Sequence, residues 1–350
     1  MSNRHTRLFK NSERCSLFLI VMLGLVLLGG CQPTATEVRE WVFSGPIMGT
    51  QYRVVVIAPE SLDASATEQV IMTAMESVNQ AMSTYISGSE LSQFNRQVAD
   101  QPTSLSADLN SVVAEALEIA ALTDGAFDPT IGPAVNLWGF GPQGRITRKP
   151  NESELDSLRQ SIGYQKLSLN DSVLSKKVDG VTLDLSAIAK GFAVDKVAQS
   201  LAGKGLNRFL VDIGGELRAS GAALSGDSWR IAIEKPQILG GVQQVIELRD
   251  QAIATSGDYR NFIQIDGQPF SHTISPETLK PVFHRLASVS VITQRASTGD
   301  ALATALMSMG EERAMAFIED HGLAAYLLIR KENSEELETY ISDEFNTNLQ

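Results

Sequence analysis

The chain has 350 residues, of which 41 are acidic and 29 are basic, giving a formal net charge of −12, and 43% of its residues are hydrophobic. The acidic balance excludes a nucleic-acid-binding protein with a basic footprint, and the apolar fraction excludes a disordered chain. With two cysteines and four histidines, a disulfide framework is excluded and a multi-histidine zinc or iron site is disfavoured.

The N-terminus is typical of an export signal. Four basic residues within the first 14 precede an apolar run over 17–28, which is shorter than the roughly twenty residues of a membrane-spanning helix. The run ends in Leu28-Gly29-Gly30-Cys31, which resembles the bacterial lipobox, where the cysteine is lipidated and becomes the new N-terminus.

This pattern predicts a lipoprotein signal peptide over 1–30 and a lipidated tether over 31–42. Lipid on Cys31 would hold the folded part on the periplasmic side of a bacterial membrane, inner or outer. The alternative is an uncleaved anchor with an incidental cysteine at position 31.

The remaining segments predict an α+β fold. Runs of strands with helices grouped between them favour one compact domain over 43–345 with mixed or antiparallel sheets, and a bilobal form is the alternative. Helical spacing of apolar residues predicts helices beginning near 65 and over 106–122, 151–162, 186–201, 298–309 and 311–321. Apolar or β-branched runs predict strands over 54–57, 181–185, 209–213, 229–233, 242–248, 262–265, 287–292 and 324–329.

Three of these helices have candidate N-caps. Ser65 and Glu68 have the spacing of a capping box. Ser186 and Thr298 precede the helices that start near them and are expected to cap them through their hydroxyl groups.

The stretch from Asp124 to Pro142 is the most unusual of the chain. It is rich in Gly and Pro, which argues against a helix or a central strand, and it carries Phe127, Trp138 and Phe140. Long ordered loops of this kind are often functional. A surface loop whose aromatic rings fill the core is the alternative.

A lysine lies in the predicted first turns of the helix that follows Asp184. The free N–H groups of a helix start favour an anion, whereas Lys190 opposes the helix dipole unless a negative group lies nearby. A bound phosphate would supply that charge. Pairing with Asp195 or another acid is the alternative, and the sequence does not decide between them.

Two further stretches could contact a ligand. Gly214-Gly215, beside Asp212 and Glu216, allows a close backbone approach, although a hairpin turn explains it equally well and the pattern is not a dinucleotide fingerprint. His272 lies between two hydroxyl residues and could accept a hydroxyl proton near neutral pH. A lone histidine is more often structural.

Asp300 and Thr304 are four residues apart, so both side chains lie on one face of the predicted helix. A carboxylate and a hydroxyl offer only oxygen ligands, as Mg²⁺ prefers. An acidic first turn that complements the helix dipole is the alternative. Together, the aromatic loop, the lysine, the histidine and this pair fit a large aromatic ligand that carries phosphates and magnesium.

Seven motifs in order resemble one family. They are PIMGTQYRV, DGAFDPTIGP with NLWGFGP, LDLSAIAKGFAVD, VDIGGELRASG, SGDYRNF, HTISP and GDALATALM, and they span residues 43–328. The chain resembles the ApbE family, the FAD:protein FMN transferases once described as thiamine-biosynthesis lipoproteins.

The resemblance implies an α+β fold and a magnesium-dependent reaction on FAD as substrate. FAD is cleaved at its pyrophosphate, FMN is joined to a threonine of an exported or membrane protein by a phosphoester bond, and AMP leaves. The implied acceptors are flavin-carrying subunits of sodium-pumping quinone reductase and related electron-transfer complexes, with the threonine in a motif like Asp-x-x-(Ser/Gly)-Ala-Thr. Hydrolysis of FAD to FMN and AMP, and non-catalytic flavin binding, are the alternatives.

The resemblance also implies roles for individual residues. The positions that match FAD contacts are Met48, Tyr85, Ala126, Phe127, Asp128, Asp184, Lys190 and Ile274. The positions that match magnesium ligands are Ala187 through its backbone carbonyl, Asp300, Thr304 and, more weakly, Ala303. His272 matches the histidine associated with activating the acceptor hydroxyl.

Two positions depart from the family pattern. Ser186 replaces a frequent glycine, and we expect little effect because serine can cap a helix. Leu279 replaces a usual glycine beside the His272 segment. If that glycine takes a positive φ, leucine is expected to reshape the turn.

Overall fold

The fold is built around an antiparallel sheet of eight strands in the order β1-β2-β6-β7-β10-β13-β14-β15. The computed structural model describes residues 37–349 except 238, 239, 260, 261, 266, 333 and 335, so the predicted signal peptide and Cys31 lie outside the described residues. The strands of this sheet are β1 Val38–Ile47, β2 Thr50–Pro59, β6 Phe209–Ile213, β7 Glu216–Ser220, β10 Ala252–Gly257, β13 Leu286–Thr293, β14 Ala324–Arg330 and β15 Leu337–Ile341.

Three smaller sheets complete the strand content of the described residues. One has the order β3-β5-β4, and the other two are the pairs β8-β9 and β11-β12. Their strands are β3 Thr103–Ser104, β4 Leu167–Asn170, β5 Val173–Lys176, β8 Trp229–Glu234, β9 Val242–Leu248, β11 Phe262–Ile265 and β12 Gln268–Ser271.

The helices are grouped between the strands. They are α1 Ala64–Met82, α2 Glu90–Asn95, α3 Ala107–Leu122, α4 Gly132–Leu137, α5 Glu152–Leu158, α6 Ala189–Gly203, α7 Ala296–Met309, α8 Glu311–His321 and α9 Asp343–Asn346. Helix α6 packs on β6 and β7, α7 packs on β10 and β13, and α6 contacts both α1 and α7. The predicted α+β class with antiparallel sheets is confirmed.

Buried side chains form a large core and a smaller one. The large cluster joins the eight-stranded sheet to α1, α3, α6 and α7. The smaller cluster contains Trp138, Leu155, Ile263, Ile274 and Leu279. It therefore unites the aromatic loop with the segment that carries His272.

Several predicted elements differ from those observed. The first strand begins at Val38, inside the predicted tether. Residues 181–185 form no strand, and the region predicted to be free of helix contains α4. Helix α5 begins at a capping box formed by Asn151 and Glu154 and ends at Leu158, four residues before the predicted end at 162.

The caps differ as well. Asp63, not Ser65, caps α1 by accepting a hydrogen bond from the N–H of Ala66. Neither Ser186 nor Thr298 caps a helix, since α6 and α7 begin after Ile188 and Arg295 without a side-chain cap from those residues. No helix within the described residues is long and apolar enough to cross a membrane.

Candidate functional site

A cleft of about 1290 Å³ gathers most of the predicted site residues. Its lining includes the following residues singled out from the sequence: Met48, Tyr85, Asp184, Ala187, Lys190, His272, Ile274, Asp300 and Thr304. They come from five separate stretches of the chain, which the fold brings to one place.

Four predicted residues do not line this cleft. Ala303 is fully buried, and Phe127 is 3% exposed within the large core. Asp128 is also buried, and Ala126, beside them, is half-buried. Their predicted roles as ligand contacts stay predictions.

The carboxylate of Asp128 fixes the local backbone. One oxygen accepts hydrogen bonds from the N–H and the hydroxyl of Thr130 at 2.8 and 2.6 Å, and the other accepts from the N–H of Tyr164 at 3.0 Å. Burial raises the pKa of Asp128, against these hydrogen bonds. The residue therefore ties the aromatic loop to the Tyr164 turn.

The three aromatic rings of the loop have two different positions. Phe127 and Trp138 fill the large and small cores, as the structural interpretation of the loop predicted. Phe140 lines the cleft and meets His272 edge-on, with ring centroids 6.4 Å apart. The core-filling interpretation is thus confirmed for Phe127 and Trp138, and a functional role of the loop stays a prediction.

The ammonium group of Lys190 lies between two carboxylates. Its Nζ is 3.1 Å from Oε1 of Glu216 and 3.3 Å from Oδ1 of Asp300. Burial opposes the charge of Lys190, but the attraction of Asp300 and Glu216 raises its pKa overall. The partner of Lys190 is therefore not Asp195, which pairs with Arg218 at 2.5 Å.

Glu216 is not among the site residues that the sequence predicts. Only 3% of it is exposed, it lines the cleft, and its Oε2 has no hydrogen-bond partner among the described residues. Burial raises the pKa of Glu216 to about 8, with Asp300 adding to this rise and Lys190 opposing it. The only sequence signal for Glu216 is the Gly214-Gly215 turn, which directly precedes it at the start of β7.

Helices α6 and α7 cap each other. The N–H of Gly191, in the first turn of α6, donates to Oδ2 of Asp300 on α7 at 3.1 Å. In return, Asp195 on α6 accepts from the N–H groups of Ala296 and Ser297 at 3.1 and 3.0 Å. Each helix start thus finds its acceptor on the other helix.

This arrangement corrects the expected role of the α6 start. The N–H of Ala189 donates to the carbonyl of Leu185 at 2.8 Å, and that of Gly191 is taken by Asp300. Ser186, the expected cap, instead donates its hydroxyl to Asp184 at 2.6 Å. These two N–H groups are therefore not available to a phosphate.

The hydroxyl of Thr304 is the second oxygen of the predicted magnesium pair. Thr304 lies one turn further along α7, and its hydroxyl is 3.3 Å from that of Ser256 on β10. Among the described residues, no group of three or more His, Cys, Asp or Glu side chains has the arrangement of a metal site.

Two polar side chains hold the segment that carries Asp184. The amide of Asn95 bonds both the N–H and the carbonyl of Leu183, at 2.7 and 2.8 Å. The buried ammonium of Lys176 donates to the carbonyl of Val181 at 2.9 Å. These bonds replace the strand pairing that residues 181–185 lack.

The aromatic loop is anchored on both sides of the cleft. The N–H of Asp184 donates to the carbonyl of Pro129 at 2.8 Å, and the indole N–H of Trp138 donates to the carbonyl of Leu279 at 2.8 Å. The loop therefore joins the Asp184 segment to the His272 segment.

Leu279 has the positive φ that is expected of a glycine at this position. It adopts the left-handed conformation itself, with φ of 58°. Its side chain is 1% exposed in the small core, and Trp138 bonds its carbonyl. Packing thus holds a leucine in a conformation that favours glycine.

Comparison with known proteins gives concordant results. The model of the ApbE family matches residues 48–327. A Vibrio cholerae protein named FAD:protein FMN transferase is 42% identical over 330 residues, covering 94% of this chain and 97% of that protein. A Haemophilus influenzae protein of the same name is 40% identical, covering 90% of this chain and 93% of that protein.

The fold agrees with solved structures. The structure of the flavin transferase ApbE from Vibrio cholerae aligns with a TM-score of 0.83 at 41% sequence identity, covering 89% of this chain and all of that one. The apo form of a Pseudomonas stutzeri flavinyl transferase ApbE aligns with a TM-score of 0.83 at 35% identity, covering 90% of this chain and 98% of that one. The family resemblance inferred from the motifs is confirmed, and the chain belongs to the ApbE family.

Proposed function

We propose that this chain is a magnesium-dependent transferase that moves FMN from FAD onto a threonine hydroxyl of an exported or membrane flavoprotein subunit. The relatives named above are FAD:protein FMN transferases. The observation that carries the proposal is the cluster of Lys190, Glu216 and Asp300 in a cleft large enough for a dinucleotide.

In the proposed reaction, the threonine Oγ forms a bond to the flavin-side phosphorus of FAD. The bridging P–O bond breaks, and its electron pair leaves with the phosphate of AMP. Such transfers depend on positioning and charge neutralisation more than on covalent help. Lys190, held between its two carboxylates, would keep a positive charge beside the phosphates, and Phe140 would contact the ring system.

The residues present fit a magnesium ion. Asp300, Thr304 and Ala187 all line the cleft, and the ligands would be the Asp300 carboxylate, the Thr304 hydroxyl and, as the family resemblance implies, the backbone carbonyl of Ala187. Glu216 leaves a buried carboxylate oxygen without a partner in the described structure, as expected beside a cation site. Mg²⁺ would supply charge neutralisation at the phosphate oxygens, and it needs few protein ligands.

His272 would receive the proton of the threonine hydroxyl on a ring nitrogen. It lies in the cleft at the edge of Phe140, in a segment fixed by the bond between Trp138 and Leu279. A histidine can hold such a proton near neutral pH.

The proposal is tested by incubating the protein with FAD and Mg²⁺, without and with a peptide that carries a threonine in the motif Asp-x-x-(Ser/Gly)-Ala-Thr. We expect AMP release together with a peptide that gains the mass of FMN. Release of AMP and free FMN with the peptide unmodified would replace the proposal with FAD hydrolysis. Tight FAD binding without AMP would indicate a carrier.

Two variants separate the assigned roles in this assay. Asp300→Ala is expected to abolish magnesium-dependent transfer, because the carboxylate ligand is lost. His272→Ala is expected to bind FAD as the wild type does, by fluorescence titration, but to transfer slowly. Transfer at the wild-type rate in either variant would refute the role of that residue.

We also propose that the protein is a lipoprotein anchored through Cys31 on the periplasmic side of a membrane, where it meets subunits such as those of sodium-pumping quinone reductase. The sequence of the signal and lipobox supports this. Labelling of cells with a palmitate analogue should mark the wild type but not Cys31→Ser. Equal labelling of both would refute the anchor.

A further inference from the structure

Strand β8 has one covered edge and one open edge. It pairs only with β9 among the described strands, and the far edge of β9 is covered by the C-terminal segment. There, the N–H of Glu247 donates to the carbonyl of Asn348 at 2.8 Å, and the carbonyl of Glu247 accepts from the side chain of Asn348 at 3.0 Å. The remaining edge of this small sheet is therefore that of β8.

The direction of the backbone groups of β8 follows from this contact. Both backbone groups of Glu247 point away from β8, and in an antiparallel pair the residue opposite points away likewise. Arg230 is opposite Glu247, and Ala232 follows two residues later in the same register. The backbone groups of Arg230 and Ala232 thus point to the open edge.

The open edge faces the cleft. All five residues from Arg230 to Glu234 line it, which is expected when the edge of a strand rather than one face is presented. Ala232 is exposed, and neither its N–H nor its carbonyl has a hydrogen-bond partner among the described residues. An exposed strand edge of this kind is a template for an added strand.

The cleft has room for more than one ligand. Small-molecule sites occupy about 300 to 1,000 Å³, whereas this cleft measures about 1290 Å³. It contains both the Lys190–Asp300 cluster and the β8 edge. A transferase that modifies a protein must hold a stretch of polypeptide beside its phosphate-binding groups.

We propose that the acceptor polypeptide binds in extended form along the open edge of β8, as a third strand of the β8-β9 sheet, with its threonine directed toward the Lys190–Asp300 cluster. This inference rests on the proposed function. Backbone hydrogen bonds to Ala232 would supply affinity independent of sequence. The small side chain of Ala232, between Arg230 and Glu234 on the same face, would leave space for a side chain of the acceptor.

The test uses the wild-type protein with FAD and the threonine peptide of the transfer assay. Hydrogen exchange with and without saturating peptide should show new protection of the amide of Ala232, whereas Ile231 and Ile233, whose amides already face β9, should change little. Peptide binding or transfer without protection of the Ala232 amide would overturn the proposal.

Peptides N-methylated at alternate residues provide a second arm that needs no protein variant. One peptide is N-methylated at its odd-numbered residues and a second at its even-numbered residues. Because only alternate N–H groups of an added strand point to the partner strand, one of these two peptides should bind at least about 10-fold more weakly than the parent. This factor corresponds to a loss of about 1.4 kcal/mol in hydrogen bonds. The other methylated peptide should bind like the parent peptide. Equal loss of affinity in both methylated peptides would contradict strand addition.

Ala232→Pro removes the donor at the edge and is expected to raise the KM for the peptide about 10-fold. Proline is tolerated on edge strands, and far-UV circular dichroism with a FAD titration checks that the variant folds. An unchanged KM in a folded variant would refute the docking site.

Peptide binding at the edge without FMN transfer would refute the proposed function while retaining the docking site.

Discussion

At the scale of single residues, the central feature is a lysine at a helix start that is stabilised by acids from two other elements. The helix dipole disfavours Lys190 by a few tenths of a kcal/mol. Asp300 and Glu216, with oxygens 3.3 and 3.1 Å from its Nζ, outweigh that cost and raise its pKa. The sequence indicated that Lys190 needs a negative neighbour. It did not identify Glu216, which lies 26 residues further along the chain.

Glu216 should give the metal-free, FAD-free protein a pH-dependent stability. Its pKa rises from 4.5 to about 8 on folding because of burial. Between these values the folded state holds more protons than the unfolded state, so the unfolding free energy should fall as the pH rises. In the Glu216→Gln variant the unfolding free energy should not decrease in this way. Urea unfolding at pH 5, 6.5 and 8 in the presence of EDTA measures the difference. The same pH slope in both proteins would contradict the prediction.

Leu279 combines a strained backbone with a well-buried side chain. Leu279→Ala and Leu279→Gly should both destabilise the protein, by about 2–5 kcal/mol, because each empties part of the small core. The glycine variant should nevertheless be about 1 kcal/mol more stable than the alanine variant, since only glycine adopts a φ of 58° without strain.

Chemical denaturation of the two variants side by side measures this difference. The alanine variant serves as the control for the lost side chain. If the glycine variant were the less stable of the two, the left-handed conformation at position 279 would be refuted.

At the scale of elements, the site depends on how α6 and α7 meet. Their starts exchange caps through Asp300 and Asp195, and the helices approach so closely at Gly191 that a Cβ there would lie 2.3 Å from the carbonyl oxygen of Ala296. The predicted serine and threonine caps are wrong because the acceptors for these helix starts lie far away in the sequence. Here the acceptors are supplied by the neighbouring helix.

Gly191→Ala should therefore push α7 away from α6 and destabilise the protein by about 1–3 kcal/mol or more. Gly203→Ala, at the end of the same helix, is the matched control, because no atom lies within 4 Å of the added Cβ. It should be neutral or stabilising by up to about 1 kcal/mol. Thermal unfolding of both variants compares them, and equal melting temperatures would refute the close helix contact.

At the scale of the whole molecule, the cleft lies among elements of both apolar clusters. Lys190 and Asp300 belong to helices of the large core, whereas His272 and Ile274 belong to the segment of the small one. The aromatic loop connects them through Asp184 and Leu279. A ligand in the cleft should thus stabilise the fold as a unit.

FAD with Mg²⁺ is expected to raise the free energy of unfolding by about 2.7 kcal/mol at a concentration 100-fold above Kd. Part of this gain should disappear with EDTA, because the phosphates would lose their cation. In Asp300→Ala, EDTA should make no difference. Differential scanning calorimetry measures these effects, and an EDTA response in the variant equal to that of the wild type would contradict the assignment of Asp300.

Much of the fold was predictable because its signals are local. Strands such as 209–213 and 242–248, and helices such as α3 with its Ser106 cap, are determined by patterns within a few residues. The strand predicted over 181–185 is wrong, because this segment has the alternating apolar pattern and burial of a strand but does not pair as one. Its backbone is instead satisfied by Asn95 and Lys176, which no local pattern indicates.

The sequence by itself determined the family, the α+β class and nine of the residues that line the cleft, because family motifs and hydrophobic periodicity are properties of short stretches. Only the tertiary structure decided which acids neutralise Lys190, how α6 and α7 cap each other, which aromatic ring reaches the cleft and how Leu279 is accommodated. These outcomes depend on contacts between residues far apart in the chain. Local sequence restricts such contacts, but packing of the whole chain selects them.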